Sequence, residues 1–186
     1  MGERVLLVGG GGREHAIARA LADSTLYAYS QHRNPGIATL AETVETGSET
    51  NTNGIVEFGR EVAATIAIIG PEAALAAGVV DALEDAGIYA FGPHEDIARL
   101  ETDKAFQREF MAEHGIDPRP AFETFDSTDA AIDYVKSVEG DVALKPRGLT
   151  GGKGVRVTGD QLSKADAVDY LRDRPYEAWV IEERLF

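Results

Sequence analysis

The stretch ALKPRGLTGGKG at residues 143–154 combines lysines and glycines in a pattern suited to polyphosphate binding. A short apolar strand ends at Lys145, and a loop with four glycines among seven residues then carries Lys153. Glycine lets successive backbone N–H groups approach one anion, and the lysines supply positive charge. The spacing is not that of a Walker A loop, and an ordinary hairpin turn is the alternative. The flanking strands favour a phosphate-binding flap between two antiparallel strands.

A second candidate anion site is VLLVGGGGREHA at residues 5–16. A strand that ends in glycines at a helix N-terminus offers unpaired N–H groups and the positive end of the helix dipole. Arg13 adds a bidentate donor suited to a phosphomonoester. The dinucleotide fingerprint does not fit, because Glu14 or His15 stands where its third glycine or alanine belongs. A tight turn with surface charges is the alternative.

Three further positions carry possible ligand contacts. Glu72 follows the apolar run that ends at Ile69, where open α/β sheets bind ligands, although it could equally be a first-turn carboxylate without a ligand. Lys104 lies on a charged helix and is either solvated or a third phosphate contact. The stretch WVIEERLF at residues 179–186 could place backbone groups and the Glu182 carboxylate against an adenine edge, or be a charged strand end.

The elements that position these residues divide into two parts. Strands alternating with helices over about residues 1–92 predict a parallel, doubly wound sheet. A charged segment at 95–114 predicts two helices broken near Glu101, with Gly115 closing the second. After a proline-rich connector, residues 121–186 predict a small α+β lobe of strand, helix, strand, flap, strand, helix and strand. The fold class is therefore α/β, Rossmann-like, followed by that lobe, with divisions at 1–100, 101–120 and 121–186.

Several local predictions within the first part can be checked individually. They are a helix with Ala16, Ile17, Ala20 and Leu21 on one side, a turn at Asn34–Gly36, a polar loop at 45–53, a helix at 55–64 and a single helix at 75–86.

Composition limits the class of protein. The 186 residues carry 32 acidic and 18 basic side chains, a net charge of −14, and contain five lysines and no cysteine. Such a surface repels nucleic acid, and the absence of cysteine excludes disulfides and thiolate metal sites. No apolar run approaches the roughly 20 residues of a membrane span, so we expect a cytoplasmic protein that does not contact membranes. The charge favours a halophilic source, with a merely acidic cytosolic protein as the alternative.

Taken together, the motifs resemble the glycinamide ribonucleotide synthetase (phosphoribosylamine–glycine ligase) family of the ATP-grasp superfamily. GGGGREHA, GPEAALAAGVVD, FGP, LETDKAF and LKPRGLTGGKGV occur in the family's order along essentially the whole chain. The resemblance implies a ligase of purine biosynthesis that joins glycine to 5-phosphoribosylamine at the expense of ATP, through a glycyl phosphate. A Rossmann-type dehydrogenase is disfavoured by the missing third glycine.

The resemblance also implies roles for particular residues, while the catalytic residues stay unknown. It assigns ATP binding to Lys104, Lys145, Thr150, Gly151, Gly152, Lys153, Gly154, Glu182, Glu183 and Leu185. It assigns the phosphoribosyl group of the substrate to Gly10, Gly11, Gly12, Arg13, Glu14, Gly70, Pro71 and Glu72.

Two departures from the family qualify these expectations. Pro146-Arg147 stands where many relatives have a small residue followed by an acidic one. Family members are also about twice as long, so the chain is expected to be an amino-terminal portion, with Mg²⁺ (or Mn²⁺) ligands and the glycine site beyond residue 186. The expected partners are small-molecule substrates, with the missing C-terminal portion as a further candidate. The alternative is a nucleotide- and phosphosugar-binding fragment without catalysis.

The net charge generates a first prediction. Raising KCl from low to molar concentration should raise the thermal unfolding temperature, because screening relieves the self-repulsion of a chain with charge −14. Scanning calorimetry checks this, with glycine betaine as the uncharged control. An unfolding temperature that is flat or falls with KCl would contradict it.

Overall fold

The computed structural model describes residues 2–117, 119–151 and 153–185. The chain divides into two compact units between Ala98 and Arg99. Within the described residues, no helix is long and apolar enough to cross a membrane.

The first unit is built on a five-stranded sheet in the order β3-β2-β1-β4-β5, with every neighbouring pair parallel. This confirms the doubly wound parallel sheet predicted for residues 1–92. In chain order, the elements are β1 (Arg4–Val8), α1 (Gly12–Ala20), β2 (Thr25–Ser30), α2 (Pro35–Ala38), β3 (Thr43–Thr46), α3 (Thr52–Glu61), β4 (Ile66–Ile69), α4 (Glu72–Ala76), α5 (Val79–Asp85) and β5 (Tyr89–Phe91). Helix α6 (Glu95–Thr102) crosses the division between the units.

The central strands of this sheet are buried on both faces. Leu6 and Val8 of β1 belong to one apolar cluster, with residues of α3 and α5, while Val5 and Leu7 belong to another, with residues of α1 and α2. Because successive side chains of a strand point to opposite faces, a strand covered on both sides is a continuous apolar run, as VLLV is. Because β1 is the central strand and is buried on both faces, the loop after β1 begins at the centre of the edge formed by the carboxyl ends of the strands.

The second unit holds a four-stranded antiparallel sheet in the order β6-β9-β7-β8. The pairing of β7 with β8 confirms that the glycine loop lies between two antiparallel strands. In chain order, the elements are α7 (Lys104–Glu113), β6 (Phe122–Phe125), α8 (Thr128–Ser137), β7 (Val142–Pro146), β8 (Arg156–Val157), α9 (Lys164–Asp173) and β9 (Trp179–Glu183). The predicted break near Glu101 falls at Asp103, and Gly115 ends α7 with a φ of 63°, as predicted.

The two faces of this sheet differ in chemistry. Trp179 and Ile181 of β9 pack in the core with α8 and α9, and the Trp179 ring N–H donates to Thr128 Oγ1 at 3.1 Å. The intervening residues Val180 and Glu182 point to the opposite face, as does Lys145 of β7. Lys145 pairs with Val180 in register, so it is a diagonal neighbour of Glu182. The apolar face anchors the sheet, and the other face carries the charged residues.

Two of the local predictions were wrong because of capping and glycine geometry. Asn34 begins α2 rather than a turn, since its side-chain oxygen accepts from Gly36 N at 2.9 Å and Ile37 N at 3.3 Å, with proline at the first helical position. The single helix predicted at 75–86 is two helices, α4 and α5, which Gly78 separates with a φ of 71°.

Other local predictions were wrong because tertiary contacts override local polarity. Part of the predicted polar loop is β3, which pairs with β2 as an exposed edge strand, and α3 begins at Thr52 rather than at residue 55. Of the side predicted for the first helix, Ile17 and Leu21 pack against an apolar cluster as expected, but Ala16 and Ala20 are exposed, while Ala18 and Glu14 are buried. The carboxylate of Glu14 is buried because it accepts hydrogen bonds at the helix N-terminus.

The ends of two helices generate a second prediction. Ala64 N donates to Gly59 O after α3 and Ile88 N donates to Leu83 O after α5, each at 2.9 Å. The residue with left-handed backbone is Ala63 (φ 49°) at the end of α3 and Gly87 (φ 80°) at the end of α5. Ala63→Gly should raise the free energy of unfolding by about 0.5–1 kcal/mol, because it relieves left-handed strain of about 1–2 kcal/mol against a smaller entropy cost.

The matched change is Gly87→Ala, which should lower the free energy of unfolding by about 1 kcal/mol. A Cβ at Gly87 would meet no atom within 4 Å, so that change isolates backbone strain. Urea denaturation of both variants measures the effects. Two changes of the same sign would contradict the strain assigned to Ala63.

Candidate functional site

The centre of the candidate site in the second unit is the buried carboxylate of Glu182. Its Oε2 accepts from Lys145 Nζ at 2.5 Å and its Oε1 accepts from Arg108 Nε at 2.7 Å. Glu182 is 4% exposed. A buried carboxylate needs such partners, because desolvation disfavours its charged form. The two cations therefore fix the charged face of the sheet against α7.

Electrostatics follow from this arrangement. Burial by itself would raise the pKa of Glu182, but the hydrogen bonds and charges of Arg108 and Lys145 outweigh it and hold the pKa of this carboxyl below its usual value. Glu182 is therefore ionised at neutral pH. An ammonium group has three donors, so Lys145 keeps hydrogen-bonding capacity beyond its bond to Glu182.

Lys104 reaches the same place from the first residue of α7. Its ammonium donates to the carbonyl oxygen of Gly148 at 2.7 Å. Burial and the charge of Lys145 lower the pKa of Lys104. An anion bound between Lys104 and Lys145 would offset their mutual repulsion and raise the pKa of Lys104, since it favours the charged form of each lysine.

A polar cavity of about 230 Å³ opens between these groups. Its lining contains three cationic and two acidic side chains, and consists of Glu101, Lys104, Gln107, Arg108, Lys145, Val155 and Glu182. Small-molecule sites commonly measure about 300–1,000 Å³, so this cavity is smaller than such a site. Three predicted ATP residues are brought together here: Lys104, Lys145 and Glu182.

The flap carries the next group of predicted residues. Lys153 N donates to Thr150 O at 3.1 Å, which makes a turn, and Gly151 within it has a φ of 57°. Gly154 is buried, its carbonyl oxygen accepts from Tyr170 OH at 2.9 Å, and a Cβ there would collide with Pro146 and Thr150. Lys153 is exposed. The predicted contact at Gly152 lies outside the described residues.

The predicted adenine hinge lies at the end of β9. Glu183 is bonded to Ala121, the residue before β6, since its N–H donates to Ala121 O at 2.9 Å and its carboxylate accepts from Ala121 N at 2.8 Å. Glu182 uses its carboxylate for Lys145 and Arg108, where the sequence suggested an adenine amine. Leu185 is 68% exposed. The side chain of Glu182 is thus used for the ion pairs with Lys145 and Arg108.

The predicted phosphoribosyl residues lie together in the first unit. The strand order reverses between β1 and β4, and ligands of open α/β sheets bind at the carboxyl edge beside such a point. Gly10–Glu14 follow β1 and Gly70–Glu72 follow β4, and Gly70 N donates to Val8 O at 3.1 Å. Topology therefore brings both predicted segments to one edge of the sheet.

Charged contacts join these segments. Arg13 donates to Glu14 at 3.0 Å and to Glu72 at 3.2 Å, and also to the carbonyl oxygen of Gly70. Glu14 Oε2 accepts from Gly11 N at 2.8 Å, so one of the predicted anion donors is taken by the chain's own carboxylate. The hydrogen bond that Arg13 donates to Glu14 raises the pKa of Arg13. Arg13 stays 57% exposed, which leaves its outer side accessible to a phosphate.

Sequence reasoning missed two arginines of the second unit. Arg108 lies four residues after Lys104 on α7, so helical periodicity could have placed both on one face. Arg147 was noted only as a departure from the family, yet it forms an ion pair with Asp103 at 3.0 Å. No local signal marks that pair, because 44 residues separate its members.

Metal ligands are a separate question. Residues 2–117, 119–151 and 153–185 contain no group of three or more His, Cys, Asp or Glu side chains arranged to hold a metal ion. The side chains in these ranges thus do not form a three-ligand site for Mg²⁺ or Mn²⁺.

The parallel α/β unit is followed in sequence by an antiparallel lobe with a lysine-flanked glycine flap, and a family model identifies this lobe as an ATP-grasp domain. A family model described as "Phosphoribosylglycinamide synthetase, N domain" matches residues 3–101, and one described as "Phosphoribosylglycinamide synthetase, ATP-grasp (A) domain" matches residues 102–185. The chain belongs to the phosphoribosylglycinamide synthetase family.

Curated relatives agree with this membership. The phosphoribosylamine–glycine ligase of Methanoregula boonei is 49% identical over 98% of this chain and 43% of its own length. That of Pyrococcus horikoshii is 49% identical over 97% of this chain and 42% of its own length. The chain thus spans less than half the length of these relatives.

Solved structures share the fold. The Thermotoga maritima phosphoribosylamine–glycine ligase has a TM-score of 0.73 at 24% identity, covering 98% of this chain and 44% of that one. The ADP complex of an N5-carboxyaminoimidazole ribonucleotide synthetase has a TM-score of 0.76 at 16% identity, covering 99% and 47%. At these identities the likeness concerns the fold alone.

The pKa of Glu182 generates a third prediction. A carboxyl whose pKa is lowered by folding stabilises the protein above its unfolded pKa, about 4.3 for glutamate, and loses this contribution as pH falls through the folded pKa. Glu182→Gln should therefore cost about 3 kcal/mol at pH 7, where it leaves two cations without their carboxylate, and much less near pH 3.

Urea denaturation between pH 3 and pH 8 at constant KCl measures the difference between the two proteins. Asp169→Asn, at an exposed carboxylate on α9, is the control. A destabilisation by Glu182→Gln that does not change with pH would refute the assignment.

Proposed function

We propose that the second unit binds the phosphates of ATP in the cavity formed by Lys104, Lys145 and Arg108. The observation that carries the proposal is this cluster of three cations around one buried carboxylate, next to a glycine flap. The cavity lining carries one more cation than acid in a chain of charge −14, and this local excess of positive charge suits an anionic ligand. Family membership supports a nucleotide polyphosphate as that anion.

The described side chains have distinct parts in this proposal. Lys104 and Lys145 neutralise phosphate charge, and Glu182 orients Lys145 and Arg108. Backbone N–H groups of the flap at residues 150–154 would close over the phosphates, with Lys153 contributing from the exposed side. The segment Glu182–Leu185 would carry the adenine. Such a site acts mainly by positioning and charge neutralisation.

For the first unit, we propose a phosphomonoester site at the carboxyl edge of β1 and β4. Arg13 supports it, since its guanidinium is partly exposed and is held in place by Glu14 and Glu72. The N-terminus of α1 adds its dipole, although Glu14 already accepts from Gly11 N. The sugar phosphate that suits this site in the proposed reaction is 5-phosphoribosylamine.

The whole protein's proposed reaction is the ligation of glycine to 5-phosphoribosylamine with cleavage of ATP, in purine biosynthesis. A carboxylate is a poor electrophile, so transfer of the γ-phosphoryl group to glycine gives an acyl phosphate. The amine of phosphoribosylamine then attacks the glycyl carbon, phosphate leaves, and the products are glycinamide ribonucleotide, ADP and phosphate. Mg²⁺ or Mn²⁺ would supply further charge neutralisation from ligands other than the described residues. A cytoplasmic location and a halophilic source belong to the same proposal.

A substitution in the cavity provides the fourth prediction. Lys145→Ala should weaken ATP binding at least tenfold, since a charge-assisted phosphate contact contributes about 1.5–3 kcal/mol. Lys104→Ala should act in the same direction, and its ammonium donates to the Gly148 carbonyl rather than to a buried carboxylate, so its effect on folding should be smaller. Lys136→Ala, at an exposed lysine on α8, is the matched control.

Calorimetric titration with ATP measures binding to the 186-residue chain. ADP release that depends on both glycine and phosphoribosylamine measures catalysis, with this chain alone and with the chain joined to the remaining segment of a relative. Unchanged affinity in both cavity variants would remove these lysines from the ATP site. Binding without turnover in either form would favour the alternative of a non-catalytic nucleotide-binding protein.

A further inference from the structure

Arg147 makes a bidentate contact that the ATP-site residues do not explain. Its Nε lies 3.0 Å from Oδ1 of Asp103, and its Nη2 lies 3.1 Å from Oδ2. Its Nη1 donates to Asp126 Oδ1 at 3.2 Å. A guanidinium held by two hydrogen bonds to one carboxylate has a defined orientation, which a lysine could not reproduce.

The same carboxylate begins helix α7. Oδ1 of Asp103 accepts from Ala105 N at 3.0 Å and from Phe106 N at 3.2 Å, which is the geometry of an N-cap. Asp103 is 21% exposed and Arg147 is 37% exposed at their side chains. One carboxylate therefore joins the start of α7 to the residue that follows β7.

Lys104 lies between these two attachments. Its backbone N–H donates to Arg147 O at 3.1 Å, and its ammonium donates to Gly148 O at 2.7 Å. Arg147 N in turn donates to Ala178 O at 3.0 Å, just before β9. Both ends of Lys104 are thus attached to the two residues from which the flap departs.

We propose that the Asp103–Arg147 ion pair is a positioning device that fixes the Lys104 ammonium and the root of the flap in the geometry that a nucleotide's phosphates need. The proposal rests on the ATP site proposed above and adds two positioning residues to it. The pair is partly exposed, so it should contribute only modestly to folding stability, and its effect should be seen mainly in nucleotide affinity. It also assigns a role to the arginine that departs from the family pattern.

Two substitutions separate the charge from the other roles. Asp103→Asn keeps an oxygen that can cap α7 but removes the ion pair, since asparagine is as good an N-cap as aspartate. Arg147→Lys keeps the charge but removes the bidentate fork. Each should weaken ADP binding roughly three- to tenfold, and the double variant should be no weaker than the worse single one, because both act through one interaction.

The readouts are calorimetric titration with ADP and NMR of lysine labelled with ¹³C at Cε. With five lysines in the chain, the Lys104 signal can be assigned from a Lys104→Arg spectrum. In the nucleotide-free protein, that signal should move in Asp103→Asn and in Arg147→Lys, while the unfolding temperature changes little. Asp169→Asn, which removes an exposed ion pair with Arg172, should leave both affinity and signal unchanged.

The outcomes distinguish the positioning role of the Asp103–Arg147 pair from the proposed ATP site on which it rests. A Lys104 signal unchanged in both variants, or additive losses of affinity in the double variant, would overturn the positioning role. A wild-type chain that binds neither ADP nor ATP would overturn the ATP site instead. The lysine signal would still decide whether the ion pair holds Lys104.

Discussion

Neutralisation of the buried Glu182 carboxylate is the constraint on which the second unit depends. Its partners come from different elements, Lys145 from β7 and Arg108 from α7, and Glu182 itself from β9. Burying that charge unpaired would cost several kcal/mol, so strand register and helix position are fixed together. The apolar core under Trp179 supplies most of the burial, but it does not specify where α7 must lie. The position of α7 is specified by the ion pair between Arg108 and Glu182 on the charged face of the sheet.

The first unit meets a comparable requirement at its sheet edge. Glu14 is 4% exposed, and it is held by Arg13 and by Gly11 N. Gly9 and Gly70 leave room for it, since a Cβ at either position would collide with the Glu14 side chain. The glycine run therefore has a structural reason beside any ligand. Close packing of a carboxylate against backbone explains why side chains are absent there.

Sequence patterns predicted the architecture, and three of the predicted ATP residues, Lys104, Lys145 and Glu182, lie around one cavity. Sequence patterns failed where the geometry depends on residues far apart in the chain. Apolar runs and glycine positions were enough for the parallel sheet and the antiparallel flap, because each reflects burial or backbone geometry within a few residues. Arg147 could not be assigned to Asp103, since the pair depends on strand pairing across 44 residues. Gly78 was predicted to be helical because the sequence does not distinguish a left-handed glycine between two short helices from a glycine inside one continuous helix.

In both units, a cation proposed to meet phosphate is already paired with a carboxylate from the same chain. Lys104 and Lys145 would repel each other in the absence of ligand. The pKa of Lys104 is lowered by its burial and by this repulsion. The charge of Glu182 offsets this repulsion, so the cluster can be assembled without a bound anion. A preassembled site loses some Coulomb attraction to its ligand but avoids the cost of ordering long side chains on binding. For a chain of charge −14, which repels anions at long range, such preorganisation is a physical route to affinity.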